Sequence, residues 1–98
     1  MKYLEEDNLN ELVKEGLHLV DFYAEWCGPC KMLVSVLESI SDKINIIKVD
    51  IDKFEKLALE YRIMSVPTLM FFKDGKKVKE LVGFRDEDEL LEAIDEIK

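Results

Sequence analysis

The chain has 98 residues, of which 48% are hydrophobic and 37% charged, so it can bury a core but is too short for two ordinary domains. Its 22 acidic residues outnumber 14 basic ones, and the formal net charge of −8 argues against binding nucleic acid or anionic membranes through a basic surface. No apolar run approaches the roughly 18 residues of a membrane span, and the N-terminal residues lack a signal-peptide pattern. We expect a cytoplasmic protein with a single domain over residues 1–98.

The first half of the chain predicts strands and helices in alternation. Hydrophobic periodicity and β-branched residues indicate strands over residues 1–4, 17–23 and 44–51, and helices over 7–15 and 30–42. Asn8 with Glu11 three residues later is typical of a capping box, and Gly16 favours a helix stop. His18, at the start of a strand, is expected on the surface.

The second half predicts a helix over 54–61, strands over 68–73 and 77–82, and a last helix capped by Asp86 with Glu89. Asp74-Gly75 between two apolar strands indicates a tight antiparallel hairpin, because a type I′ turn needs positive φ at both central positions. The earlier β-α-β units favour parallel strands. The order β-α-β-α-β-α-β-β-α therefore predicts an α/β fold, with helices on both faces of a mixed sheet in three layers.

Cys27 and Cys30 are the only cysteines and His18 is the only histidine, so one copy cannot supply the four ligands of an all-Cys/His zinc site. Cysteines three apart on the first turn of a helix lie on one face, within reach of a disulfide. Free backbone N–H groups would stabilise the thiolate of Cys27, whereas Cys30 would be more covered. The pair is either a nucleophilic and a resolving thiol, or two buried small residues.

The chain resembles the thioredoxin family in five motifs that keep the family's order and spacing. They lie at residues 20–32 (VDFYAEWCGPCKM), 48–52 (KVDID), 66–69 (VPTL), 72–75 (FKDG) and 82–83 (VG). The resemblance implies the thioredoxin fold, a central mixed five-stranded sheet flanked by four helices, as one thioredoxin domain over residues 1–98. It also implies a monomeric reductase of protein disulfides, with disulfide-containing proteins as substrates and thioredoxin reductase as the partner that regenerates it. No bound cofactor, metal or nucleic acid is expected.

The resemblance makes Cys27 the attacking thiolate, Cys30 the resolving thiol and Asp21 the buried carboxylate behind Cys30. An acid in an apolar strand is costly when ionised, so its pKa should rise, and it could then accept the proton of Cys30. Lys48 matches the family's buried lysine near that carboxylate. The residues alone leave open an exposed Asp21 on a half-wet strand and a solvated Lys48 at a strand edge.

The resemblance also assigns a substrate-binding surface. Its expected residues are Trp26, Gly28, Pro29, Val66, Pro67 and Gly83. Pro67 matches the family's cis-proline, which faces the cysteines, although composition alone would leave it an ordinary trans proline. Gly83 would keep one wall of the groove clear, or would simply be a bulge glycine at a strand end.

Two positions depart from the family pattern. Tyr23 stands where many members have a tryptophan, and Ser35 stands where many have a proline that kinks the helix. Met32, Met64 and Met70 are expected to pack against other residues rather than to bind a metal ion.

Two other functions stay open from the sequence. A glutaredoxin-like or specialised relative would draw its electrons from a different donor, such as glutathione. A binding module would use the same fold as a subunit, with passive thiols.

Overall fold

The computed structural model describes all 98 residues and has the predicted element order. The strands are β1 (Lys2–Tyr3), β2 (Leu17–Tyr23), β3 (Asn45–Asp50), β4 (Thr68–Lys73) and β5 (Lys76–Val82). The helices are α1 (Leu9–Leu12), α2 (Gly28–Ser39), α3 (Glu55–Glu60) and α4 (Glu87–Ile97). None of these helices has the length and apolar character needed to cross a membrane.

The five strands form one mixed sheet in the order β1-β3-β2-β4-β5. Strand β3 runs parallel to both β1 and β2, whereas β4 is antiparallel to β2 and to β5. The predicted α/β fold with a mixed five-stranded sheet and four helices is confirmed. Because β2 and β3 are parallel, their carboxyl ends meet at the same edge of the sheet.

Each face of the sheet has its own apolar core, because neighbouring side chains of a strand point to opposite faces. Leu19 and Phe71 pack in the core that includes residues of α2 and α4. Val20 and Phe72 pack in the core that includes residues of α1 and α3. The sheet is therefore the middle of three layers.

The predicted turn at Asp74-Gly75 and the predicted capping box of α4 are present, whereas the predicted capping box of α1 is absent. Asp74 and Gly75 have φ of 50° and 85°, as the predicted turn requires. The Asp86 side chain accepts the Glu89 N–H at 2.9 Å, and Glu89 accepts the Asp86 N–H in return. Asn8 makes no such side-chain bond; its φ of −131° and ψ of 29° are not the extended conformation of an N-cap.

The expected exposure was wrong for three side chains. His18 is buried, because it lies inside the sheet between Asn45 of β3 and Phe72 of β4. Met32 and Met64 are 65% and 93% exposed, because Met32 lies on the outer side of α2 and Met64 in the loop before β4. Met70, in the central strand β4, is buried as predicted.

Candidate active site

The two cysteines lie where β2 gives way to α2. Cys27 is the N-cap of α2, and its Sγ accepts the backbone N–H of Cys30 at 3.2 Å. The helix thus begins at Gly28 rather than at the predicted Cys30, with Pro29 in the first turn, where its missing N–H leaves no bond unmade. The two cysteines are joined in a disulfide across a Cα–Cα distance of 5.2 Å.

The position of Cys27 has an electrostatic consequence. A sulfur at an N-cap lies at the positive end of the helix dipole, beside backbone N–H groups that have no partner within the helix. When the disulfide is reduced, this environment favours the thiolate, which is the nucleophilic form of cysteine. Cys27 is 5% exposed and Cys30 2%, so both cysteines are buried in the oxidised protein.

A distant segment at Val66–Pro67 borders the disulfide, and Gly83 is hydrogen-bonded to that segment. The Val66 carbonyl oxygen lies 3.7 Å from Cys27 Sγ, and the Val66–Pro67 peptide bond is cis, as the resemblance implies. The Gly83 N–H donates to the Pro67 carbonyl at 2.8 Å. Gly83 has a φ of +92°, which disfavours any residue with a side chain, and a Cβ there would meet no atom within 4 Å. The space beside Gly83 is therefore open.

The Trp26 side chain is 69% exposed next to the disulfide and is held by Asp52, whose Oδ2 accepts the indole N–H at 2.9 Å. Asp52 is a site residue that the sequence reasoning did not identify. A signal existed, because Asp52 follows the carboxyl end of β3, which lies at the same sheet edge as the end of β2. Gly28 and Pro29 are exposed on the same rim.

Asp21 lies in the carboxyl-terminal half of β2 and is completely buried. Burial raises its pKa from the ordinary 3.8 to about 6, and the nearby Lys48 ammonium only partly counteracts that rise. The Lys48 Nζ stands 3.5 Å from Asp21 Oδ2, and no protein group donates a hydrogen bond to either carboxylate oxygen. Asp21 is therefore a poorly solvated acid that changes its protonation state near neutral pH.

Lys48 is 2% exposed, and two aromatic rings enclose its ammonium. Nζ lies 4.4 Å from the ring centroid of Tyr23 and 5.4 Å from that of Tyr3, and the two rings pack edge to face. Cation–π contacts of this kind are worth on the order of 1–2 kcal/mol when they are shielded from water. Burial raises the pKa of Tyr23 to about 12, so that its ring stays neutral.

The tyrosines, Lys48 and Cys30 border one cleft of about 110 Å³. Cys30 and Lys48, the ion-pair partner of Asp21, thus border the same cleft. No signal in the sequence pointed to Tyr3, because a two-residue strand has no periodicity that would determine its register. No cluster of three or more His, Cys, Asp or Glu side chains is arranged to hold a metal ion.

Comparison with known proteins identifies the family. The thioredoxin family model matches residues 1–96. The chain belongs to the thioredoxin family. It is 44% identical over 97 residues to a thioredoxin of Chlamydia trachomatis, covering 96% of this chain and 95% of that protein. It is 46% identical over 87 residues to a thioredoxin of Staphylococcus aureus, covering 85% of this chain and 84% of that protein.

Solved structures agree with this result. A mutant thioredoxin from Halobacterium salinarum superposes with a TM-score of 0.89 at 38% identity, covering 97% of this chain and 88% of that chain. Family membership and the Cys-Gly-Pro-Cys disulfide together make this thioredoxin-family protein a thiol–disulfide oxidoreductase. It reduces protein disulfides by dithiol–disulfide exchange through Cys27 and Cys30.

Proposed function

We propose that the two cysteines have unequal roles in this exchange, with Cys27 as the attacking thiolate and Cys30 as the resolving thiol. The observation that carries this assignment is the N-cap position of Cys27, whose sulfur accepts the Cys30 N–H; Cys27 is also slightly the more exposed residue of the two. Cys27 attacks one sulfur of the substrate disulfide and forms a mixed disulfide, while the other substrate sulfur leaves as a thiolate.

In the second half of the reaction, Cys30 loses its proton and attacks Cys27 Sγ. The Cys27–Cys30 disulfide forms, the second substrate sulfur leaves as a thiolate, and two electrons have passed to the substrate. Asp21 is the base that takes the Cys30 proton, directly or through the shared cleft. A pKa of about 6 supports this role, because the carboxylate is mostly ionised at neutral pH and binds a proton more tightly than an ordinary aspartate does. Lys48 assists by keeping a positive charge beside that carboxylate.

The substrate lies across the open rim around the disulfide. The residues proposed to contact it are Trp26, Gly28, Pro29, Val66, Pro67 and Gly83. The contact of the Val66 carbonyl with Cys27 and the open space beside Gly83 support this surface. An extended substrate segment could hydrogen-bond to the Val66 backbone there, as peptides do at other exposed backbone edges.

The same proposal extends to the protein's working context. Residues 1–98 act as a single domain and a monomer in the cytoplasm, on disulfide-containing proteins. Thioredoxin reductase returns the Cys27–Cys30 disulfide to the dithiol. The Cys-Gly-Pro-Cys motif supports this reducing role, because relatives with other residues between the cysteines tend toward oxidation, isomerisation or glutathione use.

Trapping of the mixed disulfide tests the assignment of the two thiols. The Cys30→Ser variant should accumulate mixed disulfides with a disulfide-containing substrate such as insulin, because Cys27 can attack but nothing can resolve the product. The matched Cys27→Ser variant should accumulate at least about tenfold fewer, since the remaining thiol is the more covered one. Non-reducing gels and peptide mapping measure both. Trapping chiefly through Cys30 in the Cys27→Ser variant would reverse the roles.

A further inference from the structure

Three side chains from three neighbouring strands lie in one row across the sheet. Lys48 of β3 stands directly opposite Tyr3 of β1 on one side and Asp21 of β2 on the other. Residues directly opposite each other in adjacent strands present their side chains to the same face. Tyr23 is two residues beyond Asp21 in β2 and so shares this face as well.

The row gives the Lys48 ammonium three neighbours. The Asp21 carboxylate lies on one side at 3.5 Å, the Tyr23 ring on another at 4.4 Å, and the Tyr3 ring at 5.4 Å. Tyr3 is 49% exposed whereas Lys48 is 2% exposed, so Tyr3 is the outer member of the row. The two rings pack edge to face with centroids 6.1 Å apart, which holds each ring in place against the other.

A lysine ammonium stays buried only when neighbouring groups hold it there. Its ammonium is a strongly hydrated charge on a flexible stem, and beyond a short neighbouring strand that stem can extend toward water. Asp21 offers only a single long ion pair, and β1, the edge strand that lies next to Lys48, has only two residues. The two tyrosine rings lie against the ammonium and therefore help to keep water away from it.

We propose that Tyr3 and Tyr23 are positioning residues, which hold the Lys48 ammonium against Asp21 and thereby set the proton affinity of that carboxylate. This inference rests on the proposed function in one respect only, the role of Asp21 as the base in the resolving step. In this role both tyrosines act through Lys48, and Tyr23 also packs against the cluster of Ala24, Cys27 and Cys30. The aromatic ring of each tyrosine holds the ammonium, and the hydroxyl group is not needed for this.

The other titratable groups near the row are few. Cys30 and Lys31 of α2 and Glu25 in the preceding turn border the cleft, and Asp50 of β3 influences Tyr23. The opposite neighbour of Asp21 is Leu69 of β4, which carries no charge. In the oxidised protein the cysteines do not titrate, so the proton affinity of Asp21 can be followed there without interference from Cys30.

Carboxyl carbon NMR of oxidised protein tests the proposal, with the pKa of Asp21 as the readout. Tyr3→Leu should raise that pKa by about half a unit, about threefold in proton affinity, because the ammonium moves away from the carboxylate. Tyr3→Phe keeps the ring and should leave the value unchanged. Tyr23→Leu and Tyr23→Phe form a second matched pair. An unchanged or lowered pKa in both leucine variants would overturn the proposal.

A double-mutant comparison separates positioning through Lys48 from a general structural effect. Lys48→Met should raise the pKa of Asp21 more than either leucine variant does, and in that background Tyr3→Leu should add no further shift. A shift that persists without Lys48 would overturn the proposal. The proposed function fails separately: if Asp21→Asn resolves mixed disulfides at the normal rate, Asp21 is not the base, whatever the NMR results show.

Discussion

Strand β2 buries two titratable side chains, Asp21 and His18, one in each half of the strand. Their surroundings differ in charge and in hydrogen bonding. Asp21 lies two residues from the carboxyl end, which leads to the disulfide segment, and His18 lies one residue from the opposite end. Both are buried, and both retain polar atoms that no protein group satisfies: the Nδ1 of His18 and the two carboxylate oxygens of Asp21. Burial and missing hydrogen bonds are therefore common to the two ends.

The difference lies in charge. The Nε2 of His18 lies 2.7 Å from the Glu15 carbonyl oxygen, and since a carbonyl only accepts, Nε2 carries the proton and donates it. What remains is one polar atom, Nδ1, without a hydrogen-bond partner, which is a modest cost. Asp21 has no such bond, and its ionised form is held only by Lys48, so burial raises its pKa to about 6. A buried charge with a shifted pKa, more than burial alone, marks a candidate for chemistry.

The largest expected effect is on the rate of the resolving step. Asp21→Asn should slow release of substrate from a preformed mixed disulfide by about a hundredfold near pH 7, because it removes the proposed general base. Stopped-flow measurement of single turnovers gives this rate. Glu25→Gln is the matched control, since it removes an exposed negative charge beside the same cleft and should change the rate by less than about twofold. Equal slowing in both variants would point to general electrostatics.

The next effect is on the pH dependence of stability. Below its unfolded pKa of 3.8, Asp21 is protonated in both states and costs nothing. Between 3.8 and about 6 only the unfolded chain releases the proton, so the folded state loses stability as pH rises, and above about 6 the loss is complete. A difference of about two pKa units corresponds to about 3 kcal/mol.

Urea unfolding of oxidised wild type and Asp21→Asn measures that loss. The free energy of unfolding of the variant, relative to wild type, should rise by about 3 kcal/mol between about pH 3.5 and pH 7. All other carboxylates are common to the two proteins, so their contributions cancel. Parallel curves over this range would contradict the raised pKa, even if the variant were uniformly more or less stable.

Local chemistry in the sequence was enough to predict the element order and the hairpin. The turn at Asp74-Gly75 is determined by two residues that tolerate positive φ, and Phe71 and Phe72 alternate between the two cores because a strand has a period of two. The spacing of the cysteines at the start of a helix likewise predicted that they could form a disulfide.

The features that could not be predicted from the sequence depend on contacts between distant segments. Tyr3 reaches Lys48 through the register of β1, and no pattern within two residues determines a register. The burial of His18 follows from its neighbours in β3 and β4, not from its own surroundings in the chain. Met64 was expected to pack, but its side chain is 93% exposed in the loop before β4.

The smallest expected effect is at His18, and it completes the comparison of the two ends of β2. His18→Leu removes the donor to the Glu15 carbonyl, so the free energy of unfolding should fall by about 1 kcal/mol, whereas His18→Gln can still place an N–H near that carbonyl and should lose less. Both variants should reduce protein disulfides at the wild-type rate, because His18 lies at the far end of the strand from Cys27. Urea unfolding and an insulin-reduction assay on the same samples measure the two quantities. A fully folded His18→Leu protein with slowed resolution would show that the two ends of β2 are coupled, and the contrast between a structural histidine and a chemical aspartate would then fail.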